Sequence, residues 1–156
     1  MRRIGASWTF VLLCATSTGQ ALAQSRTCAT LAGAIPEAEG RHTTVVRDTL
    51  LTDQRGGPDA WRRRGCVLTV IDTTSRDGAP TDSLDELFRT NGWEYRTEYA
   101  ADGPDGTMFA FQGAGELCVV RGSWDGGDDS DPTVVPAPGF TVAVECAPAA
   151  PRRGEG

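Results

Sequence analysis

The chain of 156 residues contains no lysine and only one histidine, His42. A serine or cysteine nucleophile needs a base within hydrogen-bond reach, and a single histidine in a predicted loop is a poor source of that base. The spacing Gly-x-Ser-x-Gly of a nucleophile elbow is also missing, since residues 122–126 read Gly-Ser-Trp-Asp-Gly. These absences argue against serine and cysteine hydrolases.

Long hydrophobic runs are missing as well, and none approaches the length of about 18 residues that a membrane-spanning helix needs. The N terminus carries two arginines, then the apolar run Trp8–Ala15, then small residues that end at Ala23. This order is typical of a secretory signal peptide. We therefore predict that residues 1–23 are a signal peptide, and that the protein is exported to the periplasm or the extracellular space without a membrane span.

Zinc-type spacing does not occur, because there is no Cys-x-x-Cys pair and the one histidine has no neighbouring ligand. In an oxidising compartment, an even number of cysteines favours disulfides. The predicted mature chain has four: Cys28, Cys66, Cys118 and Cys146. The last two lie in predicted strands that bracket one long connection, and both point to an apolar face. We predict the pairs Cys118–Cys146 and Cys28–Cys66, each contributing roughly 3 to 4 kcal/mol.

The predicted mature chain is acidic, with 13 of the 15 arginines left against 21 acidic residues, a net charge of −8. Residues 81–131 hold twelve of these acidic residues and three arginines, whereas residues 24–80 hold seven and eight. Such a surface repels phosphate groups, so we expect neither nucleic acid nor an anionic membrane as a partner. A protein or an envelope component is the expected partner.

Alternation of apolar and polar residues predicts an antiparallel sheet. The predicted strands are Thr43–Leu51, Cys66–Asp72, Trp93–Tyr99, Thr107–Phe111, Glu116–Trp124 and Phe140–Cys146, of which the third, fourth and fifth form a meander. The predicted fold is α+β, with an antiparallel sheet of about four to six strands and one short helix packed on a face. We expect a single domain over residues 24–146 and a disordered tail at 147–156. Strand order stays open, and a parallel crossover through the helix is the alternative.

One helix is predicted after the second strand. The stretch Ser83–Glu86 matches a capping box, in which the serine hydroxyl and the glutamate carboxylate satisfy free amides at the helix start. Apolar residues on one face follow, and Asn91-Gly92 supplies a left-handed stop. Residues 24–40, by contrast, have no clean period and contain a proline. We predict a tail there, with at most one helical turn, pinned at Cys28.

The candidate binding site is an acidic stretch at the end of the predicted central strand. Trp124 is followed directly by four aspartates within seven residues: Asp125, Asp128, Asp129 and Asp131. Glycine and aspartate favour turns over strand ladders, so the carboxylates are predicted to start where a rigid element ends. We treat these four aspartates and Trp124 as the candidate binding residues.

Three interpretations of the acidic stretch are open. It is a solvated connection, or its aspartates pair with the arginine run Arg62–Arg64, which we predict to be a surface turn, or the four aspartates bind Ca²⁺. The stretch departs from an EF-hand, because Pro132 follows the last aspartate and no glutamate closes the site. We therefore expect no cofactor, and calcium is the alternative that the spacing favours least.

The function expected from these features is a small exported binding or envelope-accessory module held by disulfides, which is an inference from protein class. A calcium-binding domain and a secreted protein inhibitor are the alternatives. A carboxylate pair, for example Asp102 or Asp105 with Asp125, could cleave glycosidic bonds. Turn aspartates are far more common than catalytic ones, so a carboxylate-dependent hydrolase is the least expected function and we do not predict an enzyme.

Overall fold

The computed structural model describes residues 18–52, 62–75, 80–125, 133 and 135–149, with side chains described from Arg26 onward. The helices are α1 (Thr18–Ala34) and α2 (Thr81–Thr90), and a short 3-10 helix covers Thr97–Tyr99. The strands are β1 (Arg41–Thr52), β2 (Arg62–Asp72), β3 (Glu94–Tyr95), β4 (Ala101–Gly103), β5 (Gly106–Gly113), β6 (Glu116–Trp124) and β7 (Phe140–Pro148).

The strands form one antiparallel sheet in the order β1-β2-β7-β6-β5-β3, and β4 pairs with β5 beside β3. The predicted α+β class with an antiparallel sheet is therefore confirmed. Because β7 inserts between β2 and β6, the last strand of the chain lies at the centre of the sheet. The sheet has seven strands rather than six, since β3 and β4 are two short pieces along one edge.

The main core lies on one face of the sheet, which we call the helix face because both helices pack there. Leu68 on β2, Val144 on β7 and Val120 on β6 are opposite one another across neighbouring strands and fully buried. Burying each such side chain stabilises the fold by about 1.5–3 kcal/mol. Successive residues of a strand point to opposite faces, so the local alternation in the sequence was sufficient to predict this layer.

Helix α2 supplies the aromatic part of the core. Phe88 stacks on Phe111 of β5, with 4.9 Å between ring centroids, and meets Trp93 edge-on at 5.0 Å. The predicted stop at Gly92 is confirmed by its positive φ of 74°. The predicted capping box is wrong: the helix begins at Thr81, after Pro80, and no side chain caps it. Proline fixes a backbone angle close to that of a helix, so the chain turns helical before Ser83.

Helix α1 corrects the prediction of a tail. Its 17 residues carry the buried side chains of Cys28 and Leu31, and Ile35 is buried directly after the helix end. These three positions form a narrow apolar stripe, and the alanines and polar residues between them hide its period. The helix spans the predicted cleavage position before Gln24. Within the described residues, no helix is long and apolar enough to cross a membrane.

The predicted strand Trp93–Tyr99 is wrong over most of its length. Only Glu94–Tyr95 pairs with β5, and the chain then turns into the 3-10 helix. That turn carries Tyr99 to the opposite face, where it is buried in a second cluster with Ala110, Leu117 and Val119. Burial of this large side chain against a separate apolar patch outweighs the local alternation.

Both predicted disulfides are confirmed. Cys28–Cys66 joins α1 to β2, and Cys118–Cys146 joins β6 to β7, where the two cysteines are register partners. All four cysteines are fully buried. Strand β7 continues to Pro148, so the described fold extends beyond the predicted end of the domain at residue 146.

We predict that Phe88→Ala lowers the free energy of unfolding by about 3–5 kcal/mol, because it leaves a cavity between Phe111 and Trp93. Urea denaturation measures this change. The control is Glu86→Ala, an exposed position on the same helix, where a change within about 0.5 kcal/mol is expected. Equal losses in the two variants would contradict the placement of Phe88 in the core.

Candidate binding surface

The second face of the sheet is open over its centre, because both helices lie on the helix face and the 3-10 helix covers only the β5 side. We call this centre the open face. Its side chains alternate with the core residues and are half-buried or exposed. They include His42, Thr44 and Val46 on β1, Val67, Thr69 and Ile71 on β2, Thr141, Ala143 and Glu145 on β7, Arg121 and Ser123 on β6, and Met108 on β5.

Two hollows on this side of the sheet are continuous with each other. A groove of about 550 Å³ runs over β5, β6 and β7, with small side chains on its floor and Met108 and Arg121 beside them. A hollow of about 370 Å³ lies at the end of the strands, lined in part by Ile71 and Trp124. Both are lined by Ser123 and Thr141, so one concave surface leads from the open face to the start of the acidic stretch.

A single ion pair carries the charge at the centre of the open face. Arg121 Nη1 donates to Glu145 Oε1 at 3.1 Å, and Nη2 donates to Oε2 at 3.4 Å. Both side chains are partly exposed, 28% and 18%, so water and salt screen the pair. The neighbouring side chains on β2, β6 and β7 are aliphatic or hydroxyl-bearing. The pair is balanced in itself, and the Asp102 carboxylate, which accepts a hydrogen bond from the Thr107 hydroxyl, adds a further negative charge at the β4 side of the groove.

Apolar side chains also reach solvent on this face. Val46 on β1 is 49% exposed and pairs with Val67 on β2. Ile71 on β2 is 44% exposed and pairs with His42 on β1. The edge strand β1 has a bulge between Val46 and Thr49, with Asp48 at a positive φ of 54°. A bulge of this kind hinders pairing with a further strand. The face of the sheet, rather than its β1 edge, is therefore the available surface.

Two of the predicted binding residues lie at the end of β6, where the Trp124 side chain packs against the helix-face core. The indole Nε1 of Trp124 donates to the Pro104 carbonyl at 2.9 Å, and the Trp124 amide donates to the Asp105 carbonyl at 3.0 Å. The Asp125 carboxylate accepts the amide of Ala137 at 2.7 Å. These contacts tie the end of β6 to the β4–β5 turn and to the connection before β7.

The rest of the acidic stretch lies outside the described residues, which end at Asp125 and continue at 133 and 135. The proposed roles of Asp128, Asp129 and Asp131 in calcium binding or in pairing with arginines therefore stay predictions. Trp124 lines the hollow at the strand ends beside Ser123 and Thr141 of the open face, while its side chain packs against the helix-face core.

The predicted locations of the arginine run and of the histidine are wrong. Arg62–Arg64 belongs to β2 rather than to a turn, and His42 lies in β1 rather than in a loop. Arg64 pairs with the Asp48 carboxylate at 3.0 Å, and Arg63 donates to the Pro148 carbonyl. Two of the three arginines thus have partners other than the acidic stretch. The run occurs in a strand because its ladder with β1 continues through Thr52.

Asp72 is a buried anion that sequence analysis did not single out. It ends β2 beside the hollow at Trp124, and its carboxylate accepts the amides of Ser75 at 2.7 Å and Thr74 at 2.9 Å. Arg41 Nε donates to it at 3.0 Å. Aspartate followed by Thr-Thr-Ser at a strand end is a local signal of such a turn.

The sulfur atoms of Cys28, Cys66 and Cys146 all lie within 4.8 Å of one another, the one group of potential metal ligands among the described residues. Their spacing in sequence gives no hint of this proximity. Each of the three is bonded in a disulfide, so none is present as a thiolate, the form that binds metal.

We predict that Asp72→Asn reduces the loss of folding stability that occurs as the pH falls. Hydrogen bonds from the Ser75 and Thr74 amides and from Arg41 lower the pKa of Asp72, and burial opposes them only in part. The stabilisation is therefore complete above the unfolded value of about 3.9 and is lost as pH falls through the folded value. Urea denaturation across this range measures it, with exposed Asp82→Asn as the control. Parallel curves for Asp72→Asn and wild type below about pH 4 would refute the prediction.

We predict that calcium leaves the thermal midpoint unchanged, because the Asp125 carboxylate is already engaged by the Ala137 amide and the stretch departs from known calcium patterns. Thermal melts in millimolar Ca²⁺ and in EDTA test this, since a ligand specific for the native state raises the midpoint. A rise with calcium that is lost in Asp128→Asn/Asp129→Asn would contradict it. A fall of the midpoint in that variant without calcium would instead indicate pairing with arginines.

Comparisons with known proteins leave the site to be interpreted from its own geometry. No protein-family model, no curated protein and no solved structure matches the chain significantly. The groove, its ion pair and the neighbouring apolar side chains are therefore the basis for any function assigned to this protein.

Proposed function

We propose that the protein is an exported, disulfide-stapled binding module that recognises a protein or an envelope component through the open face of its sheet. The observation that carries this proposal is the groove over β4, β5, β6 and β7, whose lining is mostly small and uncharged and whose charged side chains are Arg121, paired with Glu145, and Asp102. The two disulfides are compatible with export. The predicted signal peptide at residues 1–23 belongs to the same proposal.

The rigidity of the open face supports binding at a low cost in conformational entropy. Its strands lie in the centre of the sheet, and Cys118–Cys146 links β6 to β7 directly beneath it. Side chains such as Ala143, Thr141 and Ser123 have few rotamers to lose when a partner covers them. Preorganisation of this kind leaves more of the interaction energy available for affinity.

The chemistry of the surface indicates which partners fit. Covering Val46 and Ile71 removes apolar area from water, and a partner that covers Arg121 and Glu145 leaves neither charge without its opposite. The acidic surroundings would attract a partner whose rim is basic, chiefly by accelerating association. The expected partner therefore has a flat, uncharged contact area with arginine or lysine at its margin.

A matched pair of variants tests the proposal. Ala143→Glu places a carboxylate in the groove, whereas Ala29→Glu places the same group on an exposed site of α1. Each purified protein, immobilised, is incubated with envelope extract, and captured proteins are identified by mass spectrometry, purified and titrated. We predict that Ala143→Glu weakens binding by about tenfold or more, equivalent to about 1.4 kcal/mol, and that Ala29→Glu binds like wild type.

Two results would contradict the proposal. A captured partner that binds Ala143→Glu as tightly as wild type would place the interface elsewhere. Turnover of glycan, peptide or ester substrates by the purified protein, abolished in Asp125→Ala, would replace the binding module with a hydrolase. Thermal melts of both glutamate variants establish that each is folded before binding is compared.

A further inference from the structure

The two disulfides form a continuous row of sulfur atoms. Cys66 and Cys146 belong to different bridges, yet they are register partners on β2 and β7, and their sulfurs lie within 4.8 Å of each other and of Cys28. Cys146 is in turn the register partner of Cys118 on β6. From α1 across the sheet, the order is therefore Cys28, Cys66, Cys146 and Cys118.

The backbone beside this row brings β2 and β7 close together. Gly65 precedes Cys66, and a Cβ atom at Gly65 would lie 2.1 Å from the carbonyl oxygen of Cys146. Glycine therefore permits the approach of the two strands next to the cysteines. All four cysteines are fully buried, so in the folded protein the sulfur closest to the Cys28–Cys66 bridge is that of Cys146 in the other bridge.

We propose that the row relays a thiol across the sheet by internal disulfide exchange. When α1 opens locally from the sheet, an external thiol attacks Cys28 Sγ, forms a mixed disulfide with it and releases Cys66 as a thiolate. Cys66 Sγ then attacks Cys146 Sγ, so that a Cys66–Cys146 bond forms and the Cys118–Cys146 bond breaks. Cys118 leaves as a thiolate and takes up the proton that the external thiol lost. The exchange consumes no oxidant, because one thiol enters at α1 and one appears on β6.

Proximity favours the second step over reaction with a second external thiol. Groups held in contact react as if at very high concentration, and the attacking and attacked sulfurs here belong to directly paired residues. The reaction proceeds through the thiolate, so it is faster at alkaline pH. Its structural consequence is that α1 loses its covalent link to β2, while the Thr27 hydroxyl still donates to Glu116 on β6 at 2.6 Å.

Cys28→Ser tests the relay without an added reductant, because it leaves one thiol at Cys66 beside an intact Cys118–Cys146 bridge. The folded variant is incubated at alkaline pH, quenched with acid, alkylated and digested with trypsin. Residues Cys66 and Cys118 fall in separate tryptic peptides, 65–76 and 97–121. We predict that the alkylating label appears on Cys118 and that a Cys66–Cys146 linked pair of peptides accumulates. Label confined to Cys66 would overturn the proposal.

The matched control is Cys146→Ser, which leaves a thiol at Cys118, outside the group of three neighbouring sulfurs. Here the label should stay on Cys118 and the Cys28–Cys66 bridge should persist; equal scrambling in both variants would indicate unfolding and overturn the relay. If Cys28→Ser does not fold, Cys118→Ser tests the same exchange in the reverse direction. Its free Cys146 should attack Cys66 and place the label on Cys28, and label retained on Cys146 would overturn the proposal.

Discussion

The disulfide-bonded row of cysteines is the constraint on which the rest of the fold depends. It crosses three adjacent strands and reaches α1: one bridge ties α1 to β2, and the other ties β6 to β7, the strand at the centre of the sheet. A helix with so narrow an apolar stripe would be marginal on its own. Cys28–Cys66 and the Thr27–Glu116 hydrogen bond hold it on the sheet. By the chain-entropy estimate, each bridge contributes roughly 3 to 4 kcal/mol, a large share of the stability of a small domain.

The two faces of the sheet differ in what covers them. Helices and disulfides occupy one face, and β7, inserted between β2 and β6, brings Thr141 and Ala143 to the middle of the other. Because β7 pairs with a strand on each side, the backbone of this surface is fixed by strand pairing. That surface is shaped by small side chains and balanced by the Arg121–Glu145 pair. A rigid, weakly charged groove on an acidic protein is the physical basis for proposing a binding module.

Local patterns in the sequence were sufficient to predict those features that depend mainly on residues close in sequence or on cysteine pairing. The buried alternation around Leu68 and Val144, the stop at Gly92 and both cysteine pairs followed from period, turn chemistry and pairing rules. Helix α1 did not, because its buried stripe is narrow and the alanines and polar residues around it hide the helical period. The change of face at Tyr99 and the open groove depend on strand order, which no local pattern contains. The end of the central strand at Trp124 was predicted correctly, whereas the acidic stretch and its role stay predictions.

Non-reducing peptide mapping of the native protein tests the cysteine row most directly. Trypsin places the four cysteines in four different peptides, 27–41, 65–76, 97–121 and 122–152, so each bridge has a unique mass. The structure predicts two linked pairs, 27–41 with 65–76 and 97–121 with 122–152, and no free thiol among them. A linkage of 27–41 to either of the last two peptides, or four free thiols in protein purified from an oxidising compartment, would contradict it.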